Sequence, residues 1–471
     1  AGSSGNHPRG GEATGPRRER LQASGCLCPL RALHFGLARI PLRASARLTL
    51  PARLQLLPVS KLPGKSLPSN PTREKRAFRK GAGRTGASSG DAGGERGRLD
   101  VLGARRPPGS PRLADVSSAR LALSRLLNVT SASSWVCFGG SYAGALAAWA
   151  RLKLPHLVAA AVASSAPVRA TLDFAEYNAV VSRSLASPVV GGSPQCLAAV
   201  SAAFEQVERR LRAGGAARAA LRTELGACGS LSRAEDRAEL LEALQALVGG
   251  AVQYDGQAGA PLGVRQLCGL LLEGAHNGSH PESYRGLRQA AQVVRHSLGQ
   301  RCLSFSRART VNQLRASAPP ESGVGDRQWL YQTCTEFGFY VTCEDPGCPF
   351  SQLPALASHL ELCEQVFGLS ASSVARAVAQ TNAYYGAQAP GASGVLFVNG
   401  DTDPWQVLSV TRPSGPSEAA LLIPGASHCA DMAPERPSDP ASLRQGRRSI
   451  LRQLQAWLGQ AQEERQVGVP A

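Results

Sequence analysis

Apolar positions along the chain change rhythm three times. Over residues 1–112 they are scattered among Arg, Gly, Pro and Ser and hold no period. From Leu113 the pattern sharpens: Leu121, Leu123, Leu126 and Leu127 suggest a helical face, and Trp135-Val136-Cys137-Phe138 is a short apolar run of the kind that forms a buried strand. Two glycines and Ser141 follow, then residues 143–152 with good helix propensity. Residues 157–163 read as the next buried strand, ended by Ser164-Ser165-Ala166-Pro167. Strand, tight turn, helix, strand is a βαβ unit, which implies a parallel sheet.

Residues 173–388 are mainly helical in pattern. Ser232-Arg233-Ala234-Glu235 has the form of a capping box, and Leu240, Leu241, Leu244, Leu247 and Val248 would line one face of the helix it starts. Leu197, Val200, Phe204, Val207 and Leu211 repeat the same spacing. The strand rhythm returns in Val395-Leu396-Phe397-Val398 and again over 419–423. A closing amphipathic helix spans 444–458, with Ile450, Leu451, Leu454 and Leu458 on one side. The chain thus divides into a basic, low-aromatic segment (1–112) expected to be disordered, a first sheet portion (113–172), a helical insertion (173–388) and a second sheet portion (389–471). The fold class is α/β, a sheet interrupted by a large helical cap.

Charge changes this picture only at one end. The net +18 invites a nucleic-acid reading, yet residues 1–112 carry 22 Lys and Arg against six acids, while the other 359 residues carry 30 against 28. The basicity belongs to a segment with two aromatics, Phe35 and Phe78, and no nucleic-acid-binding motif accompanies it. Of the 12 cysteines, eight lie between Cys196 and Cys363 at wide, irregular spacing. That fits disulfides in an oxidising compartment better than a metal site, and nothing completes Cys343 and Cys348 as zinc ligands. The sequons at Asn128 and Asn277 point the same way. No run is apolar enough for a transmembrane helix and no secretory leader is visible at the N-terminus.

The sharpest chemical signal is Gly139-Gly140-Ser141-Tyr142-Ala143, between a strand and a helix. It resembles the nucleophile elbow G-x-S-x-G, with Ala143 at the last glycine, and the Tyr142 N–H at the helix start could donate to an oxyanion. A serine hydroxyl needs a base. His156 lies in the elbow's own βαβ unit and reads as structural. His428 follows a strand, in Gly425-Ala426-Ser427-His428, where a loop can deliver it to the sheet's C-terminal edge. Asp401 and Asp403 both follow the preceding strand and either could orient it. The order Ser, Asp, His is that of α/β-hydrolases.

With these residues in place a family resemblance becomes specific. GGSYAGALAAW (139–149), RLKLPH (151–156), ASSAPV (163–168), WLYQTCTE (329–336) and NGDTDPW (399–405) resemble the lysosomal Pro-Xaa carboxypeptidase type of serine peptidase, a family that includes dipeptidyl peptidase II. The resemblance implies Ser141, Asp403 and His428 as catalytic triad and Trp405 as part of a proline-accepting pocket. It also implies a helical cap, disulfides, glycosylation and an endosomal–lysosomal or secretory setting, with trimming of short peptides near proline. For this branch it implies peptide processing for antigen presentation in the thymus. No metal or organic cofactor is expected; peptides are the expected partners, nucleic acid is not, and a homodimer is left open.

Two departures accompany the resemblance. Leu330 stands where the dipeptidyl-peptidase relative is expected to carry an acid. The family's Gly-Gly-Glu-Gly and Glu-His-Arg-Phe-Tyr-Gly strands have no counterpart in 1–112, where Gly93-Gly94-Glu95-Arg96-Gly97 is only an echo. A second reading follows, a catalytically impaired peptide-binding remnant with an exposed edge on the nucleophile strand and one oxyanion donor fewer.

Overall fold

The computed structural model describes residues 35–39, 56–58 and 110–467, apart from 131–132, 274–280, 317–324, 346, 354 and 414–417. In chain order the elements are β1 (Phe35–Arg39), β2 (Leu56–Pro58), α1 (Ser110–Leu126), β3 (Trp135–Gly140), α2 (Tyr142–Lys153), β4 (Ala160–Ser164) and β5 (Thr171–Asp173). The insertion continues with α3 (Glu176–Ala186), α4 (Pro194–Arg212), α5 (Gly215–Glu224), β6 (Ala227–Cys228), α6 (Ala234–Gln253), α7 (Val264–Leu272), α8 (Pro281–Ser297) and β7 (Leu303–Ser304). Then come α9 (Arg307–Arg315), α10 (Asp326–Gln332), β8 (Gly338–Tyr340), α11 (Leu356–Phe367) and α12 (Ala371–Tyr385). β9 (Val395–Gly400), β10 (Glu418–Ile423) and α13 (Ala441–Val467) complete the sheet portion.

The main sheet runs β10-β9-β4-β3-β1-β2, with β10, β9, β4 and β3 parallel. Side chains alternate faces along a strand, and that alternation divides the core in two. Trp135, Cys137, Ala161, Ala163, Val395 and Phe397 join the cluster that contains α2 and much of the helical insertion. Their neighbours Val136, Ala160, Val162, Leu396 and Val398 pack with Leu443, Ile450, Leu454 and Leu458 of α13. Both faces are covered, so these strands are almost continuously apolar, as parallel strands must be. Trp149 of α2 is fully buried and stacks on Tyr385, with ring centroids 4.0 Å apart. Truncating a buried indole of this kind costs roughly 3–5 kcal/mol.

All eight cysteines of the insertion pair: Cys196–Cys268, Cys228–Cys302, Cys334–Cys363 and Cys343–Cys348. The first two close 72 and 74 residues, each worth on the order of 4 kcal/mol in chain-entropy terms. Among the described residues no helix is long and apolar enough to cross a membrane.

Several sequence expectations need correction. The helix before the elbow starts at Ser110 and buries Leu113, Val116 and Leu123, while Leu121 and Leu126 are exposed. The capping box is absent: α6 begins after Arg233, which makes no side-chain cap, and Arg233 pairs with Glu235 instead. Leu451 of α13 is exposed. The nucleophile strand does not have an open edge, because β1 pairs antiparallel along all of Trp135 to Gly139, and β2 pairs with β1. These eight residues come from the segment expected to be disordered; the rest of 1–109, including Gly93 to Gly97, lies outside the described residues.

Candidate active site

The elbow is built from small residues because nothing larger fits. Ser141 sits at φ 60, ψ −130, a region L-residues rarely enter. A Cβ on Gly139 would overlap the Ala143 carbonyl oxygen, and one on Gly144 would come 2.8 Å from the Ser164 oxygen. Ala143 is buried in the position where the elbow pattern has glycine; it is Gly144, one residue later, that lets α2 approach β4. The Ser141 N–H donates to the Ser164 carbonyl at 2.9 Å, fixing the turn against the neighbouring strand. The Tyr142 N–H lies in the first turn of α2, where helix geometry provides no internal acceptor. The Tyr142 ring is buried against Phe337 and Trp329.

Sheet register brings the other candidates to the same edge. Gly140 pairs with Ser164, Ser164 with Val398, and Gly400 with Ile423, so β3, β4, β9 and β10 end side by side. The loops after β9 and β10 are stitched together: the Thr402 N–H and hydroxyl both donate to the Ala426 carbonyl, at 3.3 and 2.7 Å. The two aspartates then separate cleanly. Asp401 accepts the Gly425 N–H at 2.6 Å and serves the turn. Asp403 is fully buried and faces His428 Nδ1, with Oδ1 at 2.9 Å and Oδ2 at 3.0 Å. A carboxylate only accepts, so Nδ1 carries the proton and the neutral ring has its acceptor at Nε2. Burial opposes the imidazolium, but the Asp403 charge and hydrogen bond, joined by those of Cys429, outweigh it and hold His428 well above the ordinary histidine range. His156 is exposed at the opposite end of the sheet, before β4.

The histidine loop is held against the elbow from three sides. The Cys429 N–H donates to Ser165 Oγ at 2.8 Å, and a Cβ on Gly140 would meet Cys429 Sγ at 3.0 Å. Ser164 Oγ donates to Asp431 Oδ1 at 2.6 Å. Arg447 of α13 donates to the Ala430 and Asp431 carbonyls, both at 3.0 Å, and pairs with Asp439 at 2.7 Å. From the insertion, the Gln253 carbonyl accepts the His428 N–H at 3.0 Å and Gln257 donates to the His428 carbonyl at 2.5 Å.

Asp431 yields a stability prediction. Burial pushes its carboxyl up to about 6, against the opposing Ser164 hydrogen bond and Arg447 charge. A carboxyl raised in the folded state stabilises the fold below its unfolded pKa and loses that contribution as pH rises through the folded one. Asp431→Asn keeps an acceptor for Ser164 and removes the charge. Calorimetry should find it level with the parent near pH 4 and more stable at about pH 7.5, by about 2–3 kcal/mol or roughly 4–12 °C.

Beside the triad candidates lies a cavity of about 810 Å³ between the sheet edge and the insertion. Tyr177, Gln253, Tyr254, Phe339 and Trp405 line its inner end, and Leu330 also faces it. Trp405 is packed by Phe174 at 5.3 Å, Phe339 at 5.4 Å and Tyr177 at 6.0 Å, and lies 6.2 Å from the His428 ring. Among the described residues no group of three or more His, Cys, Asp or Glu is placed to hold a metal ion. Asn128 is exposed at the turn after α1, whereas Asn277 lies outside the described residues. Gln253, Ser164 and Asp431 escaped sequence reasoning, since each acts across a long separation that no local pattern records, and Arg447, 16 residues from Asp431, belongs to no motif.

Comparison with known proteins now decides the family. Residues 110–450 match the family described as serine carboxypeptidase S28. The chain belongs to the S28 family. Over 351 residues it is 74% identical to the thymus-specific serine protease of Homo sapiens, spanning 74% of this chain and 68% of that one. The mouse protein of the same name is 70% identical over 362 residues, 77% of this chain and 71% of its own. Lysosomal Pro-X carboxypeptidase of Bos taurus is 25% identical over 356 residues, 74% and 67% of the two chains. As an S28 member the chain is a serine peptidase with an α/β-hydrolase fold, and peptides are its substrates.

Proposed function

We propose that this S28 peptidase is an exopeptidase that trims short peptides near proline through Ser141, His428 and Asp403. The observation that carries the reading is the buried Asp403–His428 pair, held at the same sheet edge as the strained Ser141 turn. Ser141 Oγ attacks the scissile carbonyl while His428 Nε2 takes its proton, and Asp403 holds the tautomer and stabilises the imidazolium. The Tyr142 N–H supports the oxyanion. His428 then protonates the leaving amine as the C–N bond breaks, and water hydrolyses the acyl-Ser141 ester by the same path in reverse.

The cavity supports the substrate class. Aromatic walls around Trp405 suit the flat, apolar ring of proline, and cavities of this size enclose small ligands rather than folded chains. Incubation with a set of short peptides carrying proline at each position, read by mass spectrometry, tests this. Release of a terminal residue or dipeptide next to proline is expected. Internal cleavage indifferent to proline would overturn the exopeptidase reading while leaving the peptidase.

Four disulfides call for an oxidising compartment, and a relative bears the name lysosomal Pro-X carboxypeptidase. We place the activity in the endosomal–lysosomal or secretory route, serving peptide processing for antigen presentation in the thymus, with Asn128 glycosylated. The raised His428 favours the less acidic part of that route, because the base is lost as pH falls through its pKa.

A further inference from the structure

Two residues of the helical insertion bond the histidine main chain, Gln257 through the His428 carbonyl and Gln253 through the His428 N–H, and only Gln253 also reaches Trp405. Gln253 is the last residue of α6 and is buried. Its side-chain Oε1 accepts two hydrogen bonds, from the Tyr177 hydroxyl at 2.8 Å and from the Trp405 indole N–H at 3.0 Å. Its main-chain carbonyl accepts the His428 N–H at 3.0 Å. Trp405 in turn donates its main-chain N–H to Asp403 Oδ1 at 3.0 Å, and Asp403 holds the His428 ring. The bonds form a closed ring through His428, Gln253, Trp405 and Asp403.

We propose that Gln253 is a positioning residue of the reaction, setting the His428 imidazole and the Asp403 carboxylate from the insertion side. The inference rests on the serine-peptidase reading of the site and goes beyond it by making α6 part of the catalytic apparatus.

The chemistry of the amide explains the choice. Tyr177 is buried and would otherwise carry an unsatisfied O–H, Trp405 is half-buried, and one sp² oxygen with two lone pairs satisfies both donors. Tyr177 and Trp405 also line the inner end of the cavity. The same face of α6, through Glu242, Gln245, Ala246 and Gly250, continues along the cavity wall. At 1.5 Å per residue the span from Glu242 to Gln253 is about 16 Å. A peptide lying there therefore touches the helix whose end holds the histidine.

The test reads the nucleophile without needing the natural substrate. The rate of covalent labelling by a fluorophosphonate is followed against pH for the parent, Gln253→Leu and Gln253→Glu, with melting temperature and disulfide content as controls. The titratable groups around His428 are Asp403, Cys429, Tyr254 and Tyr177, with Asp431 acting on Asp403. Gln253→Leu is expected to label about 10- to 100-fold more slowly at its plateau, the scale of a small misplacement of a catalytic group. Its acid limb should move to lower pH, because a loosened Asp403 no longer raises His428 as far. Gln253→Glu keeps the acceptor and should recover the plateau to within about threefold, with the limb at higher pH from the added charge.

A residue that only braced the fold would lower the melting temperature and leave plateau and limb unchanged in Gln253→Leu; that result overturns the proposal. Should Gln253→Leu not fold, Trp405→Phe removes the indole donor while keeping an aromatic ring against Phe174 and Phe339. A slower plateau with a downshifted limb then supports the ring, and a parental profile overturns it. A parent that is not labelled at all would remove the serine-peptidase reading first, and the inference with it.

Discussion

Ser141→Ala lowers peptide hydrolysis by on the order of 10⁶-fold, with the melting temperature held at the parental value. The size follows from the role. Without Oγ no acyl-enzyme forms, and only oxyanion and binding contributions remain. The fold should not notice, because Ala keeps the Cβ and Ser141 makes no side-chain cap to α2. The backbone adds a control. Ser141 holds φ 60, ψ −130, which costs an L-residue on the order of 1–3 kcal/mol. Ser141→Gly should therefore be equally inactive but more stable than Ser141→Ala. If both glycine and alanine variants melted alike, the strain reading of the turn would be wrong even with the nucleophile correct.

Asp403→Asn is expected to lower kcat on the order of 10⁴-fold, because an amide in place of the carboxylate can present N–H to Nδ1 and select the wrong tautomer. The pH profile should move with it. His428 is raised by Asp403 against the opposing effect of burial, so without that charge its pKa falls and the acid limb of the surviving activity shifts to lower pH. Asp401→Asn supplies the comparison. Its carboxylate bonds only the Gly425 turn amide among the contacts seen, and kinetics near the parental values are expected. Equal losses at Asp401 and Asp403 would mean that turn geometry, rather than the imidazole, is what these variants disturb.

The core of this arrangement was legible because it is written locally. The run from Trp135 to Phe138, the glycines before Ser141 and the alternation in Val395 to Val398 each specify an element within a few residues, and the order Ser, Asp, His follows the order of the strands. Local signals failed where a tertiary partner overrode them. Leu121 and Leu126 looked like a face of α1, yet Leu113, Val116 and Leu123 are the residues that meet the core. Ser232 had a capping pattern, but α6 starts one residue later and Arg233 takes Glu235. Spacing alone could not separate Asp401 from Asp403; one bonds a turn amide and the other a histidine 25 residues away. Ring closure through Gln253 spans 152 residues to Trp405 and 175 to His428 in sequence, so no window of the chain contains it. Nor does the composition of 1–112 mark the short strand that pairs onto the nucleophile strand, or the second that pairs with the first.

The most direct test of the central claim is to treat the protein with a fluorophosphonate, digest it and locate the adduct by mass spectrometry. A single modified peptide is expected, with the phosphonyl group on Ser141, formed faster as pH rises through the His428 pKa and absent from Ser141→Ala. A folded, fully disulfide-bonded protein that gains no adduct, or gains one at another serine, would contradict it and leave the peptide-binding remnant as the better reading.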